Sequence, residues 1–139
     1  MIKIVSDSSA LYSKEEGQVK GISILPLIVT INGSTYNEYE DIKTKEFIDI
    51  INEGHIPVSS QPAIGEVLNV YNENEDCEII NISMADGLSG TYNSACVAKE
   101  MAENSKRIEV INSGTLCGPQ KYLVDLAVKL VELGKIKMK

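Results

Sequence analysis

Between Cys77 and Gly134 the chain alternates twice between a short apolar run and a segment of helical periodicity. Cys77 to Met84 reads as a buried strand and Tyr92 to Met101 as a helix. Arg107 to Asn112 (RIEVIN) reads as a second strand. A second helix carries Leu123, Leu126, Ala127, Leu130 and Leu133, with Gly134 at its C′ position. This order admits few folds: the strands run parallel and the helices form right-handed crossovers. Turns after parallel strands gather on one edge of the sheet, where open α/β folds take their ligands. Thr91, Ser94, Ala95, Ala98 and Ala102 give the first helix a face of small residues suited to close packing on a sheet. The expected fold class is α/β with a mainly parallel sheet.

The first half adds shorter elements. Ile2 to Ser6 (IKIVS) is a strand that stops at Asp7-Ser8-Ser9. Those three residues suit capping of the turn or short helix from Ala10 to Val19, with ligand contact as the alternative. Ile22 to Ile31 is a second apolar stretch, and Pro26 marks an edge, bulge or break in it. Leu25, Leu27 and Val29 read as core, with a pocket wall as the alternative. Asn32-Gly33 predicts a tight hairpin returning through Thr35-Tyr36. Phe47, Ile50 and Ile51 place a helix over Thr44 to Asn52, closed by Gly54. Ile64, Val67, Leu68 and Tyr71 place another after Pro62.

Three hydroxyl-bearing turns stand out. In ISMADGLSGTYNSACVA, Ser89, Gly90 and Thr91 lie between a strand and a helix start. Glycine lets a backbone approach a ligand closely, and a helix start offers unpaired N–H groups with partial positive charge. That suits a carboxylate or phosphate, and it also suits an ordinary cap. Ser59 and Ser60 in VSSQP sit just before another helix start. Ser113-Gly114-Thr115 is a third such turn. Asp7, Ser89 and Ser113 are expected along a common rim.

Composition removes several function classes. A chain of 139 residues is one domain's worth and long enough for a real core. A net charge of −7, with Arg107 the sole arginine, speaks against nucleic acid and anionic membrane surfaces. No apolar run is long enough to span a membrane, and MIKIVSDSS lacks a signal-peptide pattern. Cys77, Cys96 and Cys117 are expected as reduced, buried small hydrophobes of a cytoplasmic protein. With no C-x-x-C and His55 as the single histidine, neither a metal nor a cofactor is expected.

Four stretches together resemble the DegV family, the fatty-acid-binding proteins of bacterial fatty acid kinase systems. They are IKIVSDSSA, PLIVTINGSTYNEYEDI, VSSQPAIGE and ISMADGLSGTYNSACVA, in the family's order and spacing along the whole chain. The resemblance implies a three-layer α/β/α lobe with a mainly parallel sheet, here residues 1–139, the family's N-terminal lobe. It implies that Ser59 and Ser89 hold a fatty acid carboxylate, with Ser60, Gln61, Gly90 and Thr91 around them and the acyl chain in an apolar tunnel. A separate kinase subunit is the implied partner, and this chain supplies no catalytic residue. Ser59 replaces the family's usual threonine and keeps the hydroxyl. Ala63 stands where serine is common, so the capping box ahead of Glu66 is lost. Family members run to about twice this length. A lone lobe exposes apolar tunnel wall, so self-association or weak lipid retention is expected. Two other readings stand beside this one. The hydroxyl rim allows a phosphorylated metabolite, although no P-loop or G-x-G-x-x-G is present. A serine hydrolase built on Ser89 lacks the second glycine of a nucleophile elbow, and His55 lies upstream of it.

Overall fold

The computed structural model describes residues 1–136. Its main sheet has four parallel strands in the order β2-β1-β6-β7, formed by β1 (Ile2–Asp7), β2 (Ile22–Leu25), β6 (Glu78–Ser83) and β7 (Ile108–Asn112). A smaller antiparallel sheet, order β4-β3-β5, joins β3 (Ile28–Ile31), β4 (Ser34–Asn37) and β5 (Val58–Ser60). The helices are α1 (Lys14–Val19), α2 (Thr44–Asn52), α3 (Ile64–Glu73), α4 (Thr91–Met101) and α5 (Cys117–Glu132).

Side-chain alternation along the strands builds two cores, one on each face of the main sheet. Ile4, Ile22, Ile24, Ile80 and Ile82 pack with Val124 and Ala127 of α5. Val5, Leu25, Ile79 and Ile108 pack with Val67 and Tyr71 of α3 and with Ala95 and Ala98 of α4. These are the layers of an α/β/α sandwich. Parallel strands buried on both faces read as apolar runs, as IKIV and IINI do. The expected small-residue face of α4 is buried at Thr91, Ser94, Ala95 and Ala98, and Ala102, just past the helix end, is buried with them.

Pro26 divides the second apolar stretch between sheets. Ile22–Leu25 pairs with β1, whereas Ile28–Ile31 turns away into the small sheet. Asn32 and Gly33 both take left-handed backbone, as a two-residue hairpin turn requires. A 3-10 turn over Ser8–Ala10 precedes α1, which starts at a capping box between Ser13 and Glu16. The carboxylate of Glu16 accepts the Ser13 N–H, and that bond holds its pKa below the ordinary value.

Three expectations need correction. Val58–Ser60 is a strand paired with β3, not merely a polar lead into α3. The core stripe of α5 is Gln120, Val124 and Ala127, and the stripe read from leucines is rotated, with Leu126 and Leu133 exposed. None of the cysteines is buried: Cys77 and Cys96 are half-buried and Cys117 is exposed. The helix end is as expected. Gly134 is left-handed, its N–H reaches Val131 O, and the Lys135 N–H reaches Leu130 O in a Schellman motif.

Candidate functional site

All four parallel strands end on one edge, and the segments that follow them wall a cleft of about 370 Å³. Ser8 and Ser9 follow β1, Leu27 follows β2, and Met84, Leu88, Ser89 and Gly90 follow β6. Leu116 and Cys117 follow β7. The small sheet supplies the opposite wall through Val29 on β3 and Ser59 and Ser60 on β5, with Gln61 next. The residues at 59 and 89, thirty positions apart in the chain, therefore face one space.

Local chemistry leaves several of these polar groups free to act outward. The N-cap of α3 is Ala63, which has no side chain able to cap. Gly90 is the N-cap of α4 and has none either. The first intrahelical bond of α4 is Ser94 N–H to Gly90 O, so the amides of Tyr92 and Asn93 have no partner within the helix. The Ser89 Oγ lies 2.9 Å from Thr91 Oγ1 and accepts the Thr91 N–H at 3.3 Å. Thr91 is buried and does not line the cleft; it stands behind Ser89. The Gln61 carboxamide lies against Gly90 so closely that a Cβ there would meet its Cδ and Oε1 at 3.2 Å. A residue other than glycine would move the carboxamide.

The floor is a buried polar lattice that the sequence did not reveal. Asp7 Oδ2 accepts the Met84 N–H at 2.9 Å and the Gln120 amide at 3.2 Å. Asp7 Oδ1 accepts the Ser9 N–H at 3.1 Å and the Ser9 hydroxyl. Gln120 Nε2 also donates to Ser6 Oγ at 3.2 Å. Asp7 is thus the cap of its own turn, and its carboxylate ties β1, the end of β6 and α5 together beneath the cleft. Gln120, a polar residue in register with Val124 and Ala127, is the signal that could have pointed to it. Ser113 takes no part in the lining: its hydroxyl donates to Thr115 O at 3.1 Å and its N–H to Ser83 O at 2.9 Å.

Charge and strain mark the same place. Glu38 is the only charged side chain lining the cleft, and no histidine lines it, among the described residues. Tyr39, beside it, has its phenol pKa raised, by burial first and then by Glu38. Among the described residues, four other than glycine have left-handed backbone, and three of them, Leu11, Tyr39 and Cys117, line the cleft, with φ of 60°, 67° and 54°. Such strain is held only where surrounding structure enforces it, and it gathers at functional sites.

A family model described as "Uncharacterised protein, DegV family" matches residues 1–139. The chain belongs to the DegV family. A DegV domain-containing protein of Staphylococcus aureus is 38% identical over 133 residues, covering 94% of this chain and 47% of that protein. A DegV domain-containing 15.5 kDa protein of the same species is 36% identical, covering 97% of this chain and 96% of its own length. Among solved structures, DegV of Bacillus subtilis, a fatty acid binding protein, is similar at 32% identity and a TM-score of 0.85. The alignment covers 96% of this chain and 48% of that one. A stearic acid-binding protein of Eubacterium ventriosum is similar at 29% identity and a TM-score of 0.85, over 96% of this chain and 48% of that one. The chain thus spans about half the length of most of these relatives. Among the described residues no helix is long and apolar enough to cross a membrane.

Proposed function

We propose that this DegV chain binds a long-chain fatty acid, with the carboxylate between Ser59 and Ser89 and the acyl chain along the apolar remainder of the cleft. The observation that carries this reading is the pairing of hydroxyls from β5 and from the β6–α4 turn across one space walled by Leu11, Leu27, Val29, Met84, Leu88 and Leu116. Each serine donates its O–H to a carboxylate oxygen. Thr91 supports Ser89 in this: when its N–H and hydroxyl both donate to Ser89 Oγ, the serine's own proton is left to point at the ligand. The unpartnered amides of α4 add partial positive charge nearby. The tail supplies most of the affinity, about 0.8 kcal/mol per buried methylene, and the serines set orientation. The fatty acid binding of the Bacillus subtilis and Eubacterium ventriosum relatives supports the ligand class.

The chain contributes no catalytic residue in this proposal. It presents the carboxylate to a separate fatty acid kinase, which the family resemblance supplies as partner. Self-association through the exposed cleft rim, where Leu88 is 60% accessible, belongs to the same proposal. A phosphorylated metabolite is the less favoured ligand, because among the described residues a doubly charged phosphate would meet Glu38 and no cation in the lining. For a hydrolase, Ser89 has no histidine in the lining to act as base.

Fatty acid titrations of Ser59→Ala and Ser89→Ala test the reading. Each is expected to weaken binding about tenfold, the effect of one hydrogen bond to a charged group. Unchanged affinity in both variants would overturn the head-group assignment. Native mass spectrometry of the purified chain tests the ligand class: a co-purified fatty acid mass is expected, and a sugar phosphate or nucleotide would count against it.

A further inference from the structure

A second hollow of about 220 Å³ adjoins the cleft, and the two share Val29, Glu38 and Tyr39 as a common wall. Its remaining walls are Ile42, Thr44 and Phe47, from the start of α2 and the segment leading into it. α2 is amphipathic, yet none of its residues is buried, and Ile48 is 49% exposed. A helix with an apolar face and no buried residue has unused capacity to cover an apolar occupant.

Charge gives the combined space a direction. Glu38 is the only charged side chain lining either part, among the described residues. Its carboxylate accepts the Ser8 hydroxyl, and its backbone N–H is fixed to Leu27 O at 2.8 Å. A second carboxylate brought beside it is repelled, whereas methylenes are not. An anionic head is therefore driven to the Ser59 and Ser89 end, and the tail points over Val29 and Tyr39 toward α2.

We infer that the hollow beside α2 receives the distal methylenes of the acyl chain, so that Ile42, Thr44 and Phe47 set the longest chain buried in full. This rests on the fatty acid reading and adds selection by length. Affinity grows about fourfold with each buried methylene and stops growing once the buried space is filled. The carbon number at which growth stops is the measurable property.

The test is a titration of the 139-residue chain with the saturated series from decanoate to stearate, repeated for Ile42→Trp and Phe47→Ala. Ile42→Trp fills the hollow and is expected to end the growth at a shorter chain. Phe47→Ala enlarges it and is expected to extend the growth to a longer one. Decanoate affinity is expected to change less than stearate affinity in both. Should Ile42→Trp fail to fold by circular dichroism, Thr44→Trp fills the same hollow from an exposed position. Identical plateaus in every protein would overturn the length-selection inference and leave fatty acid binding standing. Failure of the unaltered chain to bind any member of the series would remove both.

Discussion

In the proposed binding mode Ser89 depends on its neighbours, and two substitutions separate their roles. Thr91→Val removes a hydroxyl 2.9 Å from Ser89 Oγ while keeping the side-chain volume. Without the paired hydroxyl, the Ser89 Oγ is held by the Thr91 N–H alone. The expected result is weaker fatty acid binding, several-fold rather than abolished, in the same titration used for Ser89→Ala. Gly90→Ala works from the other side. The backbone φ of −71° suits any residue, so the chain itself is not strained. The added Cβ would press on Gln61, a flexible side chain that can swing away. Thermal stability is expected to stay within about 0.5 kcal/mol, and ligand affinity is expected to fall. A loss of stability with affinity intact would show that Gly90 is a packing requirement and not a site feature.

At the scale of elements, α3 and β6 are joined by a buried polar chain inside an apolar layer. Asn81 Nδ2 donates to Tyr71 Oη at 2.7 Å, and Ser83 Oγ donates to Asn81 Oδ1 at 3.3 Å. Tyr71→Phe keeps the ring but leaves the Asn81 amide unpaired in a site without water access, which costs about 1–3 kcal/mol. Urea unfolding should show that loss as a lower midpoint with an unchanged slope. The apolar content of this layer was readable: Ile79, Val67, Tyr71 and the alanines of α4 announce their periods, and the parallel direction of β6 and β7 followed from the crossover rule. β5 was not readable, because V-S-S is too short to show alternation and all three of its residues are exposed. Its strand character comes from pairing with β3, a contact that sequence position hides. The same applies to the floor of the cleft, where Asp7 and Gln120 meet across 113 positions. For α5, five aliphatic residues at helical spacing suggested one stripe, but Gln120 takes a core position in exchange for hydrogen bonds, and the stripe turns with it.

Over the whole molecule, the two cores on either face of one sheet make stability depend on groups far from the cleft, and Tyr71 offers a way to see this through pH. Burial pushes its phenol up to about 12 from an ordinary value of 10, and the Asn81 hydrogen bond offsets part of that rise. Between those values the unfolded chain releases the phenolic proton while the native chain keeps it. Stability therefore falls with rising pH in that window, is complete below pH 10, and flattens above the folded value. A shift of about two units corresponds to roughly 3 kcal/mol lost across the window. Tyr12 contributes in the same direction, since burial and then its bond to Asp125 raise its pKa. Unfolding free energies measured by urea between neutral pH and strongly alkaline pH should show this decline. In Tyr71→Phe the neutral-pH stability is lower, but the alkaline decline should be shallower, because the main group responsible is gone. An equal decline in both proteins would assign alkaline sensitivity to general charge repulsion in an acidic chain of net charge −7 and would remove Tyr71 as its source.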